Sequence, residues 1–184
     1  MTTQHNKQGF TLIELLVVIA IAAILATIAA PSFVDMTKNS RINGAANEFQ
    51  SIVQLARTEA ITRNAIVNLY NSNADGDWSG DIYLCEASTA TTVCASNDVN
   101  FIKKFTIGDL SDDNVSNGDI TIDSNSDGDS FISLGPNGRL STTTAITIAF
   151  CDNRIVGNRD FQLLTISVTG RPSVNDLGIG SCVR

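Results

Sequence analysis

The sequence predicts an α+β fold: one long N-terminal helix, apolar all round in its first half and amphipathic in its second, followed by a mostly antiparallel β-sheet domain. Three observations predict it. Residues 10–30 are apolar except for Thr11, Glu14 and Thr27. Residues 45–63 place Ala45, Phe49, Ile52, Val53, Ala56 and Ala60 at three- and four-residue steps, the spacing of one helix face. From residue 65 onward the chain breaks into short β-prone runs separated by Asn, Asp, Gly and Ser clusters.

The first element is the apolar run. It approaches the roughly 20 residues a helix needs to cross a bilayer core of about 30 Å. Glu14 is the anomaly, because a carboxylate at membrane depth costs on the order of 2.5–3.5 kcal/mol and normally has an intramembrane partner. A secretory signal peptide could be cut near Ala20-Ile21-Ala22, but Glu14 would then sit inside its hydrophobic centre. A plain anchor has no reason to keep the acid.

Gly9-Phe10-Thr11-Leu12-Ile13-Glu14 resembles the processing site of type IV prepilins and type II secretion pseudopilins. The resemblance implies that a prepilin peptidase cuts after Gly9 and that Phe10 becomes an N-methylated terminus. It also implies that Glu14 is the assembly carboxylate, meeting the charged terminus of a neighbouring subunit. Residues 1–9 are then a leader that stays cytoplasmic, with Lys7 as its one sure positive side chain. Lys38 and Arg41 beyond the apolar run leave the positive-inside bias weak.

Residues 10–30 form the transmembrane and assembly helix, and residues 31–64 its amphipathic continuation. Pro31 and Gly44 are soft points, since proline lacks an amide hydrogen and glycine lacks a side chain. Pilins often carry a proline near this place, and the resemblance implies a helix that kinks but continues. A helix over 11–63 would be about 80 Å long at 1.5 Å per residue. Glu59 and Arg63 stand four apart in the favourable order, worth about 0.2–0.5 kcal/mol.

Beyond the apolar helix about 150 residues remain, enough for one domain that buries roughly 68–70% of its unfolded surface. Strands are expected at 65–70, 82–85, 99–107, 119–122, 130–134, 145–150 and 163–168. Residues 131–140 read as two strands joined at Gly135-Pro136-Asn137-Gly138. Seven short strands after one helix indicate a single β-rich domain over 65–184, placed in the periplasm by the resemblance. The runs 46–64, 131–140, 150–151 and 166–171 resemble the GspH/FimT group of minor pilins and pseudopilins.

Charge is uneven. The chain carries −7, while residues 71–130 hold twelve acids against Lys103 and Lys104, a local −10. An acidic middle argues against broad attraction to nucleic acid or anionic membrane. The four cysteines, Cys85, Cys94, Cys151 and Cys182, all follow the apolar run and read as disulfides of an exported domain. Three pairings are open. The preferred one joins Cys85 to Cys94 around a local loop and Cys151 to Cys182 across the last strands. Neither pair has C-x-x-C spacing, and the lone His5 lies in the leader, so a zinc site is not supported.

Two ligand readings stand beside plainer ones. Asp123, Asn125, Asp127 and Asp129, with Gly128 sixth from Asp123, match the first half of a calcium loop. Leu134 occupies the twelfth position, where a bidentate glutamate would complete it, and the same residues are ordinary in a hairpin loop. Asn71-Ser72-Asn73-Ala74-Asp75-Gly76-Asp77 repeats the spacing with fewer acids. Gly170-Arg171 resembles the start of the Gly-Arg-x-Arg element of FimT-like DNA-uptake subunits, but Pro172-Ser173 follows and the second arginine is missing. Arg171 is therefore the candidate DNA contact, against surface ion pairing or subunit contact as the plainer role. Catalysis finds no histidine beyond the leader, no Gly-x-Ser-x-Gly and no phosphate loop, so the chain reads as no enzyme.

The resemblance implies a minor subunit of a type IV pilus, assembled through its N-terminal helix after cleavage and N-methylation. Its expected partners are the prepilin peptidase, other minor and major pilins or pseudopilins, and the inner membrane. A GspH-like pseudopilin of type II secretion shares every feature used so far. The likeness of residues 56–64 to the FimT/FimU pattern favours the pilus. A DNA-binding subunit for DNA uptake is the third reading.

Overall fold

The computed structural model describes residues 10–71, 78, 80–87, 99–107, 120–124, 131–152 and 160–178. Helix α1 runs unbroken over Leu12–Arg63, through Pro31 and Gly44. The strands are β1 (Ile66–Asn71), β2 (Asp81–Ala87), β3 (Phe101–Thr106), β4 (Ile120–Ser124), β5 (Phe131–Leu134), β6 (Ile146–Asp152), β7 (Asp160–Ile166) and β8 (Pro172–Gly178). By contacts the chain forms two compact units, Met1–Lys38 and Asn39–Arg184.

In the first unit the described apolar side chains of the helix are exposed. Phe10 is 90% exposed, and Leu12, Ile13, Leu15 through Ile19, Ile21, Ile24 and Leu25 all stand open. Among the described residues no helix is long and apolar enough to cross a membrane. Side chains are described only to Thr27 within the run, whereas the sequence stays apolar to Ala30.

In the second unit the strands pair antiparallel into two four-stranded sheets, ordered β3-β2-β1-β5 and β4-β6-β7-β8. The helical stripe expected from spacing is the buried face: Ala45, Phe49, Ile52, Val53, Ala56 and Ala60 are all enclosed. Ile42 and Ala46 extend it, because a helix packed on two sheets buries a band wider than a single row. One core cluster joins this face to Val67, Leu69, Ile82, Leu84, Ile132 and Leu134 of the first sheet. Ile122, Ile146, Ile148, Phe150, Leu164 and Ile166 of the second belong to it as well. At its centre the Phe49 ring meets Trp78 edge-on at 5.5 Å and Phe150 at 5.9 Å.

The helix ends where left-handed backbone stops it. Asn64 has φ 52°, its amide donates to the Ile61 carbonyl, and the Ala65 amide donates to the Ala60 carbonyl. These two bonds satisfy carbonyls that the last helical turn leaves open, and asparagine tolerates the conformation. Arg63 pairs with Glu59 at 2.7 Å, as the spacing predicts, and reaches Glu86 of β2 at 3.5 Å.

Two expectations change. The described residues hold eight strands rather than seven, because β8 was not foreseen; Pro172, Asn175, Asp176 and Gly178 all have low strand propensity. It forms because it pairs along its whole length with β7 at the margin of a sheet, where proline is tolerated. The second arm of the 131–140 hairpin is not a strand: Leu140 makes a single bridge to Leu134. Its amide instead donates to Val168, so the chain leaves the first sheet there for the second.

Candidate functional site: the helix N-terminus and the paired turns

The candidate assembly site begins at Phe10 and Thr11, which precede the first helical residue, Leu12. A helix start leaves four amides without intrahelical partners. Thr11 and Glu14 satisfy part of this need reciprocally. The Thr11 amide and hydroxyl both donate to Glu14 Oε2 at 2.9 Å, and the Glu14 amide donates to Thr11 Oγ1 at 3.3 Å. This is a capping box, with threonine at the cap and glutamate three residues on. The carboxylate therefore has a partner within its own chain while the surrounding apolar side chains stand exposed. Thr11 was missed in the sequence as a functional residue, although its signal, Thr-x-x-Glu before an apolar run, is present there. Gly9 lies outside the described residues.

Arg171 is exposed at the turn between β7 and β8. Its main chain is well held: the Ser167 amide donates to the Arg171 carbonyl at 3.0 Å, and the Arg171 amide donates to Ser167 Oγ at 3.2 Å. Gly170 before it has φ 74° and lies against the neighbouring turn, where a Cβ would stand 2.0 Å from the Gly138 carbonyl oxygen. That same oxygen accepts a 3.0 Å bond from Arg57 Nε of α1. Arg57 is the second residue that sequence reasoning missed. It ties the helix to a turn 81 residues away, and no local pattern signals such a contact. Arg139 and Arg171, each next to one of the two abutting glycines, are both exposed. Arg154, Arg159 and Arg184 lie outside the described residues.

Cys85 and Cys151 are both disulfide-bonded, and no described cysteine is free. Cys94 and Cys182 lie outside the described residues. Of the calcium candidates, Asp123 stands in β4 opposite Ala149, and Asn125, Asp127 and Asp129 lie outside the described residues. Of the second loop, Asn71 closes β1 and is buried, and 72–77 lie outside the described residues. Among the described residues no cluster of three or more His, Cys, Asp or Glu side chains could hold a metal.

Comparison with known proteins follows the same division of the chain. Residues 4–30 match the model of the prokaryotic N-terminal methylation motif, and residues 45–170 match that of type II transport protein GspH. A fimbrial protein of Pseudomonas aeruginosa is 37% identical over 62 residues, 34% of this chain and 40% of that protein. The match thus spans well under half the length of that relative. The type IV narrow pilus major component PilA5 of Thermus thermophilus is 30% identical over 92 residues, 48% of this chain and 79% of that one. Among solved structures, the type IV minor pilin FimU of Pseudomonas aeruginosa superposes with a TM-score of 0.60 at 20% identity in one crystal form. The alignment covers 80% of this chain and 99% of that one. A second crystal form gives 0.58 at 21%.

Proposed function

The chain belongs to the GspH family of type IV minor pilins and pseudopilins, and from that premise we propose that it is a structural subunit of a type IV pilus. Cleavage after Gly9 would make Phe10 the methylated terminus and Thr11 the second residue of the mature chain. The helix would wait in the inner membrane with the β-rich domain in the periplasm, then pack against other subunits as the fibre grows. Its partners would be the prepilin peptidase and other pilins, and its role structural rather than catalytic.

One observation carries this reading. Every described side chain from Phe10 to Thr27 is exposed in the isolated chain, over a run with one carboxylate. An apolar surface of that extent marks a membrane or protein partner. Glu14 makes the packing selective. In the single chain its charge is held, among the described residues, by Thr11. In a fibre it would meet a neighbour's terminal ammonium, and removing one partner of such a desolvated pair strands the other charge.

Glu14→Gln separates the two roles of this residue. Glutamine keeps a capping box but removes the charge. Charge pairing predicts a Glu14→Gln chain that is cleaved normally, stays in the membrane and is depleted from sheared fibres. Normal incorporation would leave only the capping role and sink the proposed pairing.

The second reading is a type II secretion pseudopilus, favoured by the match of 45–170 to the GspH model. Recovery of the processed chain only in membranes would select it. DNA binding through Arg171 remains a proposal that salt-sensitive binding, lost in Arg171→Ala, would support. Calcium held by Asp123, Asn125, Asp127 and Asp129 would raise thermal stability on addition of the ion, and no rise would remove it. The pairings Cys85–Cys94 and Cys151–Cys182 are likewise proposals, read by mass spectrometry of the unreduced digest.

A further inference from the structure

The two abutting turns carry a knuckle of arginines. Gly138 and Gly170 meet there, and Arg139 and Arg171 are the residues that follow them. Chain geometry therefore holds the Cα atoms of these two arginines within about 11 Å of each other. Arg57 reaches the same junction from α1, its Nε donating to the Gly138 carbonyl at 3.0 Å. Arg139 and Arg171 are exposed, Arg57 is half-buried, and the exposed side chain of Ile61 stands against Gly138.

Among the described residues these three guanidinium groups have no carboxylate partner. The ion pairs there join Arg63 to Glu59 and Glu86, and Lys104 to Asp81. Glu59, the acid nearest Arg57 in sequence, is thus already engaged. The turns themselves are fixed by other atoms. The Gly135 amide donates to the Arg139 carbonyl at 2.8 Å, the Arg139 amide to Asn137 Oδ1 at 3.0 Å, and the Arg171 amide to Ser167 Oγ at 3.2 Å. Arg139 and Arg171 are displayed from a held backbone, and these bonds leave their guanidinium groups untouched.

An arginine fork takes a carboxylate through two parallel bonds, and a held backbone lowers the entropy lost on binding. A compact group of such forks suits a short acidic peptide. Nucleic acid needs cations spread along a backbone, and the net charge of −7 opposes a polyanion. The chain itself carries the complementary acid. Residues 108–119 hold Asp109, Asp112, Asp113 and Asp119 and no lysine or arginine; they lie outside the described residues. Of the other acids of the negative middle, Asp81 and Glu86 are paired, and Asp123, Asp127 and Asp129 belong to the calcium reading.

We propose that the Arg57, Arg139 and Arg171 knuckle docks the acidic segment 108–119 of a second copy of this chain, with Ile61 as an apolar contact at its rim. The contact sets one surface against a different one, so each pair of copies keeps a free knuckle and a free acidic segment, and the contact extends from copy to copy. It rests on the assembly reading above, which brings copies side by side.

The test places p-benzoylphenylalanine at Thr169, exposed in the turn before Arg171, in a tagged full-length copy expressed beside an untagged one in native cells. Membranes and fibres are treated with nuclease and irradiated, and the linked peptide is mapped by mass spectrometry. The expected link joins the tagged copy to residues 108–119 of the untagged one. Arg139→Glu and Arg171→Glu should each cut the yield about fivefold or more, because an attraction becomes a repulsion at the same place. Asp109→Lys, Asp112→Lys, Asp113→Lys and Asp119→Lys together in the untagged copy should restore the link to either glutamate variant, which repair of a folding defect could not do. Undiminished yield in both glutamate variants overturns the proposal, as does a yield that falls without restoration. A link to a different subunit, a link confined to the same chain, or a link lost to nuclease overturns it too. Methylated Phe10, read in the same cells, tests the assembly reading separately: a methylated chain with no link overturns the knuckle alone.

Discussion

Gly170→Ala tests the contact between the two turns. The substitution places a Cβ 2.0 Å from the Gly138 carbonyl oxygen and 3.0 Å from its carbon, both backbone atoms that cannot rotate away. It also forces alanine into φ 74°, a left-handed conformation that costs about 1–2 kcal/mol. Moving the Gly138 carbonyl lengthens its 3.0 Å bond from the Arg57 guanidinium, and bonds to charged groups contribute about 1.5–3 kcal/mol. The two together give about 4 kcal/mol, or roughly 10 °C in Tm for a chain of this size. Gly44→Ala is the internal control, because nothing lies within 4 Å of its Cβ and helical alanine is favoured by about 0.5–1 kcal/mol. The assay is thermal unfolding of the full-length protein in detergent with disulfides intact, followed by emission of the single, buried Trp78. One substitution type should thus give opposite signs at two sites. A Gly170→Ala midpoint within about 1 °C of the parent would refute the reasoning from turn contact.

Thr11→Ala should lose the cap and about 1 kcal/mol of helix stability, seen as faster amide exchange at Glu14, with Thr11→Ser restoring protection. Unchanged exchange would show that the box does not hold the helix start. Asp81 accepts from Lys104 at 2.6 Å and from Thr106 at 2.8 Å, and these bonds hold its carboxyl below the usual aspartate range. A lowered folded-state value means stability that is present above the unfolded pKa of about 3.9 and lost as pH falls through the folded value. Asp81→Asn should therefore cost under about 1 kcal/mol at pH 7, given the exposure of the pair, and the difference should vanish in acid. A gap that widened on acidification would contradict that sign.

Some of these features were legible in the sequence and others were not, for physical reasons. The helix and its buried stripe were legible because periodicity is local, and Phe49, Val53, Ala56 and Ala60 lie where a period of 3.6 puts them. The Glu59–Arg63 pair followed from the same geometry. β8 was not legible, because Pro172, Asn175 and Asp176 carry turn chemistry and only the register with β7 makes them a strand. Leu140 looked like strand, but its amide donates to the carbonyl of Val168, in the turn just beyond β7, a pairing set by tertiary structure. At the candidate site, Phe10 and Glu14 announced themselves as a motif. Thr11 acquires its meaning only when its amide is seen to meet Glu14. The junction of Arg57, Gly138 and Gly170 joins three distant segments, so its parts carry no shared local signal.

The most direct test of the central claim is mass spectrometry of fibres sheared from native cells and of the membranes left behind, searching for the peptide that begins at Phe10. The account predicts an N-methylated Phe10 peptide in the fibres. A chain uncut after Gly9, or cut near Ala22, would contradict it.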